Sequence, residues 1–382
     1  MKAIRLVLSA CLIGMTALQA SLAETGVTDT TISLGMSAPL TGPASAHGQE
    51  LRNVINAYFE QVNKNGGVHG RKLQLTVVDD GYDPEKAVAN TRTLIETNKV
   101  FALLGYYGST AMTEAMNKVF GPAKVPMIGG ISGAMSLRQP PASNPNNRYM
   151  FSQRASYADE AEAIGNQLAT LGLKNIAVFY QNDGFGKAGL EGLTTALKKH
   201  NLTPSATASV ERNSEDISKA VETISKASPQ AVVMVTLFKP TAALVKALHK
   251  ANQSPMFMTL SPVGAEQLTQ ELGNDARGIG ISQVMPYPWN DTVPVVKEYQ
   301  HFIGKQGPYT YMSMEGFIIA KLAVEAIRKA GGKELSREKL VSTLEGLNQD
   351  FGGYRVAFSP NNHAGSQFVQ LTVIGAGGKL IK

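Results

Sequence analysis

The sequence predicts an α/β fold of two parallel-sheet lobes, and three observations carry that prediction. Short apolar runs alternate with amphipathic helical stretches over most of the 382 residues. The alternation breaks once, at the Pro/Asn-rich segment Gln139–Asn147, and then restarts. Each repeat has strand–helix–strand length, which implies parallel strands covered by helices on both faces. The composition agrees: 43% hydrophobic, 17% charged, with 37 glycines and 18 prolines spread as turn signals. It excludes a disordered chain and a small disulfide-stapled fold. A net charge of +6 offers no basic stripe for nucleic acid.

Residues 1–23 stand apart. Lys2 and Arg5 precede an apolar stretch to Leu18, and Ser21-Leu22-Ala23 has the small residues of a cleavage site. We expect a removed export signal and a soluble periplasmic protein. Leu8-Ser9-Ala10-Cys11 resembles the box ahead of a lipid-modified cysteine, but too few apolar residues precede it. Removal takes away the only cysteine, and with it thiol catalysis, disulfides and Cys-based metal sites. The six histidines show no metal spacing.

In order, strands are predicted over 32–36, 73–78, 101–105 and 125–128, with helices over 49–63, 84–98 and 110–120. Pro84 suits a helix start, where its missing N–H costs nothing. After the break, strands are expected over 176–180, 206–210, 231–235 and 256–259. Helices are expected over 157–171, 186–200, 214–227 and 240–251. The tail holds an apolar run at 278–284 and helices near 293–304, 311–330 and 336–344. It is too short for a third sheet domain and is expected to complete the first two lobes.

Several motifs fail on inspection. Gly184-Phe-Gly-Lys-Ala-Gly189 spells a dinucleotide fingerprint, but Asp183 would repel a pyrophosphate and three residues separate the strand from the first glycine. Gly129-Gly-Ile-Ser-Gly133 misses the hydrolase elbow by one position. Asp79 and Asp80 face opposite ways on a strand and share no substrate bond. We expect no enzyme activity, no cofactor and no metal. The segment Leu104–Ala111 remains. Tyr106 and Tyr107 offer flat apolar contact, Ser109 or Thr110 caps the next helix, and its free N–H groups suit an anion. Ligands on open α/β sheets bind beyond such strand ends. Phe185, Phe238 and the turn Ser261–Gly264 supply the facing wall.

The combination of Pro39-Leu-Thr-Gly-Pro43, Gly48, the stretch Val62–Leu73 with its Asn-Gly-Gly turn, Asp79-Asp80, Gly105…Gly108-Ser109, Val125-Pro126 and Tyr180–Gly186 resembles the periplasmic solute-binding proteins of the branched-chain amino acid type. The resemblance spans 31–375. It implies the type I periplasmic binding fold: two Rossmann-like lobes joined by a three-crossover hinge. The divisions it implies are 24–147 and 279–355 for the first lobe, 148–278 and 356–382 for the second. It also implies a monomer that traps a small molecule and docks on the permease of an ABC importer. Ser109 resembles the residue gripping a ligand carboxylate, and Ile131, Ser132 and Gly133 the next contacting loop. Gly133 stands where a hydroxyl side chain is frequent. Phe185 matches a ligand-contacting tyrosine. Val263 stands where a glutamate faces the ligand's ammonium, and valine cannot neutralise that charge. A carboxylate with an apolar or aromatic body is therefore expected, with an amino acid as the alternative. A ligand-sensing receptor domain and an exported α/β enzyme are the rivals from other classes.

Overall fold

Strand β1 (Thr31–Ala38) leads the first sheet, and each later strand is added through a helical crossover. The computed structural model describes residues 24–304, 308–332 and 334–382. The expected export signal and Cys11 lie outside them. The first lobe runs β1, α1 (Ser45–Lys64), β2 (Lys72–Asp79), α2 (Pro84–Arg92), β3 (Ala102–Tyr107), α3 (Ser109–Ala115), β4 (Met127–Ile131) and β5 (Met150–Phe151). A wider helical turn extends α2 to Thr97 and another extends α3 to Phe120. The second lobe runs α4 (Tyr157–Thr170), β6 (Ile176–Gln181), α5 (Gly184–Lys198), β7 (Ala206–Val210), α6 (Ser218–Ala227), β8 (Ala231–Val235), α7 (Phe238–Lys250), β9 (Met256–Thr259), α8 (Ala265–Leu272) and β10 (Gly280–Gln283). The tail adds α9 (Pro294–Ile303), α10 (Tyr311–Ala330), α11 (Arg337–Glu345), β11 (Asn348–Asp350), β12 (Arg355–Ala357), β13 (Gln370–Ile374) and β14 (Leu380–Ile381).

The two sheets share one strand order. The first is β2-β1-β3-β4-β5, parallel throughout. The second contains β7-β6-β8-β9-β10, the same pattern, extended at the β10 edge by antiparallel β13 and β14. Each order reverses once, between β1 and β3 and between β6 and β8, which opens a crevice at the strand carboxyl ends. Strands β3, β4 and β8 are buried along their whole length, as helices on both faces require. α10 packs on α1, β3 and β4 of the first lobe. Among the described residues no helix is long and apolar enough to cross a membrane.

Two expected divisions shift. β5 pairs with β4, so the first lobe runs on to Phe151 instead of ending at 147. β10 pairs with β9, so the second lobe runs on to Gln283 instead of ending at 278. Hydrogen bonding sets both limits, and neither a turn-rich break nor a change in hydropathy marks a strand's partner.

Three chain segments join the lobes, after β5, after β10 and after β12. The first and third bond to each other: Ser152 N–H donates to His363 O, and Gly365 N–H donates to Ser152 O. The Tyr354 hydroxyl sits 2.8 Å from Gln153 O and 3.2 Å from Val284 O, which ties in the second. Between the lobes Arg154 meets Glu160 at 3.2 Å and Glu315 at 3.4 Å, all three buried. Glu160 also accepts from Ser261 N–H and from the hydroxyls of Ser261 and Ser282. Burial raises the Glu315 carboxyl to about 7, and the Arg154 charge opposes that rise.

Candidate ligand cleft

The crevices of the two lobes face each other and meet. Tyr107 ends β3 in register with Ile131, the last residue of β4. Gly108 turns the chain, and Ser109 starts α3. The expected cap is absent: neither Ser109 nor Thr110 caps α3. Their hydroxyls point elsewhere. Ser109 Oγ accepts from Ser132 Oγ at 2.8 Å and lies 3.3 Å from the Tyr157 hydroxyl. Thr110 Oγ1 accepts from the Gly184 N–H at 3.0 Å, across the gap between lobes. Ser109, Ser132 and Tyr157 thus form one buried cluster of neutral hydroxyls. Burial raises the Tyr157 phenol's pKa, so it stays a donor.

Tyr157 carries no mark in the sequence beyond its place at a helix start. The missing hydroxyl at Gly133 is the signal that finds it. A Cβ on Gly133 would lie 2.4 Å from the Tyr157 ring and 2.5 Å from its backbone N. The glycine makes room for the tyrosine, and the phenol supplies a hydroxyl where Gly133 has none. Tyr157 then packs on Phe185, with centroids 5.1 Å apart.

Tyr106 takes no part. Adjacent strand residues face opposite ways, so its hydroxyl lies inside the first lobe, 3.0 Å from Thr91 Oγ1. Tyr107 faces the cleft. Its hydroxyl lies 2.9 Å from His47 Nδ1 and donates to Pro262 O of the other lobe at 3.3 Å. His47 meets Phe238 edge-on at 5.5 Å. Gly264, held at φ +80°, leaves the space that His47 Nε2 needs, since a Cβ there would lie 2.1 Å from that nitrogen. Nε2 has no hydrogen-bond partner. Burial lowers the His47 ring to about 4, so it is neutral when enclosed. Tyr82, absent from the sequence reading, accepts from Gln181 Nε2 at 3.1 Å and packs on Tyr107. Both His47 and Tyr82 sit in polar turn or cap segments that resemble ordinary loops.

Val263 is fully buried beside this seam. Asp183, Glu160 and Glu315 are engaged, whereas the buried Glu266 Oε1 has no hydrogen-bond partner. Asp183 caps α5, accepting from the N–H groups of Phe185 and Gly186 and from Gln181 Nε2. Its carboxylate occupies the donors that a dinucleotide phosphate would need, which disposes of the glycine motif. Glu160 and Glu315 serve Arg154. Among the described residues no group of three or more His, Cys, Asp or Glu is arranged for a metal ion. A cavity of about 440 Å³ opens beside the hydroxyl cluster, between Gly133–Ser136 and α5, lined by Tyr157, Gly184 and Lys187 among others. A larger cleft of about 930 Å³ lies at the hinge, away from the aromatic seam.

Comparison with known proteins agrees with this geometry. The family model described as periplasmic binding protein matches residues 31–379. A possible leucine/isoleucine/valine-binding protein from Rhodopirellula baltica superposes with a TM-score of 0.86 at 29% identity, covering 93% of this chain and 97% of that one. A substrate-binding periplasmic protein from Ralstonia solanacearum gives 0.84 at 30% identity, covering 92% and 99%. A Leu/Ile/Val-binding protein homolog from Brucella melitensis is 22% identical over 79% of this chain and 80% of its own length. An amino acid binding protein from Pseudomonas aeruginosa is 22% identical, and the match spans 63% of each chain, just under two thirds of that relative. On the strength of the family match along nearly its whole length, and of two doubly wound lobes closed on a shared crevice, the chain belongs to the periplasmic binding protein family, among relatives of the Leu/Ile/Val-binding type.

Proposed function

We propose that the protein captures a small carboxylate with an apolar or aromatic body between its lobes and delivers it to the permease of an ABC importer. The observation that carries this reading is the Ser109–Ser132–Tyr157 hydroxyl cluster, set among Tyr82, Tyr107, Phe185 and Phe238. Hydroxyls donate to an anion, and each Å² of apolar ligand surface covered by the rings contributes roughly 25 cal/mol. Ile131 and Gly133 supply backbone at the same rim, and Val263 an apolar wall. Closure brings the lobes together through Tyr107 to Pro262, Gly184 to Thr110 and Gln181 to Tyr82. A ligand favours the closed form by its differential affinity for it.

The printed names of several relatives favour an amino acid instead. In this cleft an ammonium group would meet Val263, with Asp183, Glu160 and Glu315 already committed. The experiment is mass spectrometry of ligand retained by gently purified protein, then calorimetry with benzoate, octanoate and leucine. Tight stoichiometric binding of an acid without an amino group is expected. Leucine binding tightly while both simple acids fail would overturn the carboxylate reading and support the amino-acid one.

A further inference from the structure

Arg138 lies just past β4 and is 7% exposed. Among the described residues no carboxylate comes within ion-pair distance of it. Its guanidinium donates to neutral oxygens only. Two belong to the loop after β4: Ser132 O at 2.9 Å and Ala134 O at 3.1 Å. Three belong to the first segment joining the lobes: Ser152 Oγ at 2.7 Å, with Arg154 O and Ala155 O at 3.2 Å each. Asp159 and Glu160 act on it from farther away. Asp159 is held by Ser156, and Glu160 by Arg154 and two serines. Burial lowers the Arg138 pKa to about 10, which leaves it a cation. Burying a cation without a carboxylate partner is expensive, so its retention needs a reason beyond packing.

The reason lies in the peptide it holds. The Ser132 carbonyl takes the Arg138 hydrogen bond while the Ser132 hydroxyl donates to Ser109. The same peptide unit carries the Gly133 N–H. In a trans peptide that N–H points opposite to the carbonyl, away from Arg138. It faces the Tyr157 hydroxyl and favours the phenol's oxygen as an acceptor. Gly133 lines the cavity between the lobes. A cation on the carbonyl polarises the peptide and strengthens its N–H as a donor. The Gly133 carbonyl accepts from the Tyr157 N–H at 2.8 Å, which anchors the following peptide of the same loop.

We infer that Arg138 is a positioning residue for anion capture: it clamps the Ser132–Gly133 peptide to the inter-lobe segment, holds the Ser132 hydroxyl and, through the Gly133 N–H, the Tyr157 hydroxyl in place for a bound carboxylate, and so sets the preference for acids over their uncharged amides. The inference rests on the carboxylate reading of the cleft.

The test is calorimetry of the full chain with benzoate against benzamide and octanoate against octanamide. In the unaltered protein at least one acid should bind about tenfold or more tighter than its amide, as expected of charge-assisted hydrogen bonds. Arg138→Gln should cut that ratio by about fivefold or more, with a smaller change in amide binding. Arg138→Lys keeps the cation and loses the fork, and should fall between the two. Ser152→Ala removes one acceptor of the clamp outside the cleft and should lower the ratio about two- to threefold. If Arg138→Gln does not fold, Ser152→Ala decides. An acid-to-amide ratio unchanged in the folded variants overturns the role of Arg138. Ser109→Ala separates the two ideas: acid binding lost there, with the ratio intact in the Arg138 and Ser152 variants, keeps the carboxylate reading and removes the clamp. No acid preference in the unaltered protein overturns both.

Discussion

The seam between the lobes and the hinge beside it are both buried and both polar, yet they spend their polarity differently. At the hinge, Arg154, Glu160 and Glu315 bind one another and fixed partners on both lobes, with Arg154 Nε left without a partner. Along the seam the groups are neutral: three hydroxyls, phenols and an imidazole, with His47 Nε2 left unpartnered. A buried ionic network resists change, because breaking it strands a buried charge. Neutral hydroxyls with spare capacity can exchange one another for a ligand at small cost. One region is built to hold and the other to receive.

The largest expected effect would break the hinge side of this contrast. Arg154→Met leaves two buried carboxylates without their cation and should destabilise the fold by about 3–5 kcal/mol, measured by denaturant unfolding. A loss below about 1 kcal/mol would show that the network is not what holds the hinge. On the cleft side, Gly133→Ala should cost about 1–3 kcal/mol in unfolding free energy, because its Cβ overlaps Tyr157. Binding should fall with it, since Tyr157 must move. A variant as stable and as active in binding as the parent would remove Tyr157 from the site.

Ser109→Ala should weaken an acid ligand by about 1–3 kcal/mol while shifting unfolding little. The opposite split would make Ser109 a structural residue. The smallest effect is the pH dependence of His47. Its enclosed ring has a pKa near 4 against 6.5 for a free one. The depressed value means enclosure requires the neutral form, so its full contribution is present above about pH 6.5 and declines as pH falls toward 4. Ligand affinity should drop by roughly 1–2 kcal/mol between pH 7 and pH 5 through this group. Glu50 and Glu266, both raised by burial, lie close by and titrate with the opposite sign. The difference between the parent and His47→Gln isolates the ring. An identical pH slope in both would sink the effect.

Much of the fold was legible because it rests on local periodicity. The apolar runs at 206–210, 231–235 and 256–259 became strands at those residues. The sequence reading missed α8 and the strands β5, β11, β12, β13 and β14, most of them too short to show a period. Strand-end reasoning selected Tyr107, Ser109, Phe185 and Phe238, and the family resemblance added Ser132, because doubly wound sheets gather loops at strand carboxyl ends. It misjudged Tyr106, where strand alternation turned the ring inward. It overlooked Tyr157, His47, Tyr82 and Arg138, whose positions depend on partners along the chain such as Ser109, Tyr107, Gln181 and Ser152, which are 48, 60, 99 and 14 residues away in turn.

The sequence by itself determined the class of fold, the two lobes and the family, since hydropathy period and turn residues act over a few neighbours at a time. Only the tertiary structure decided where each lobe ends, which tyrosine serves the cleft and which charges are spoken for. Strand pairing, glycine-to-ring complementarity and the balance of buried charge are set by groups that become neighbours only when the chain has folded.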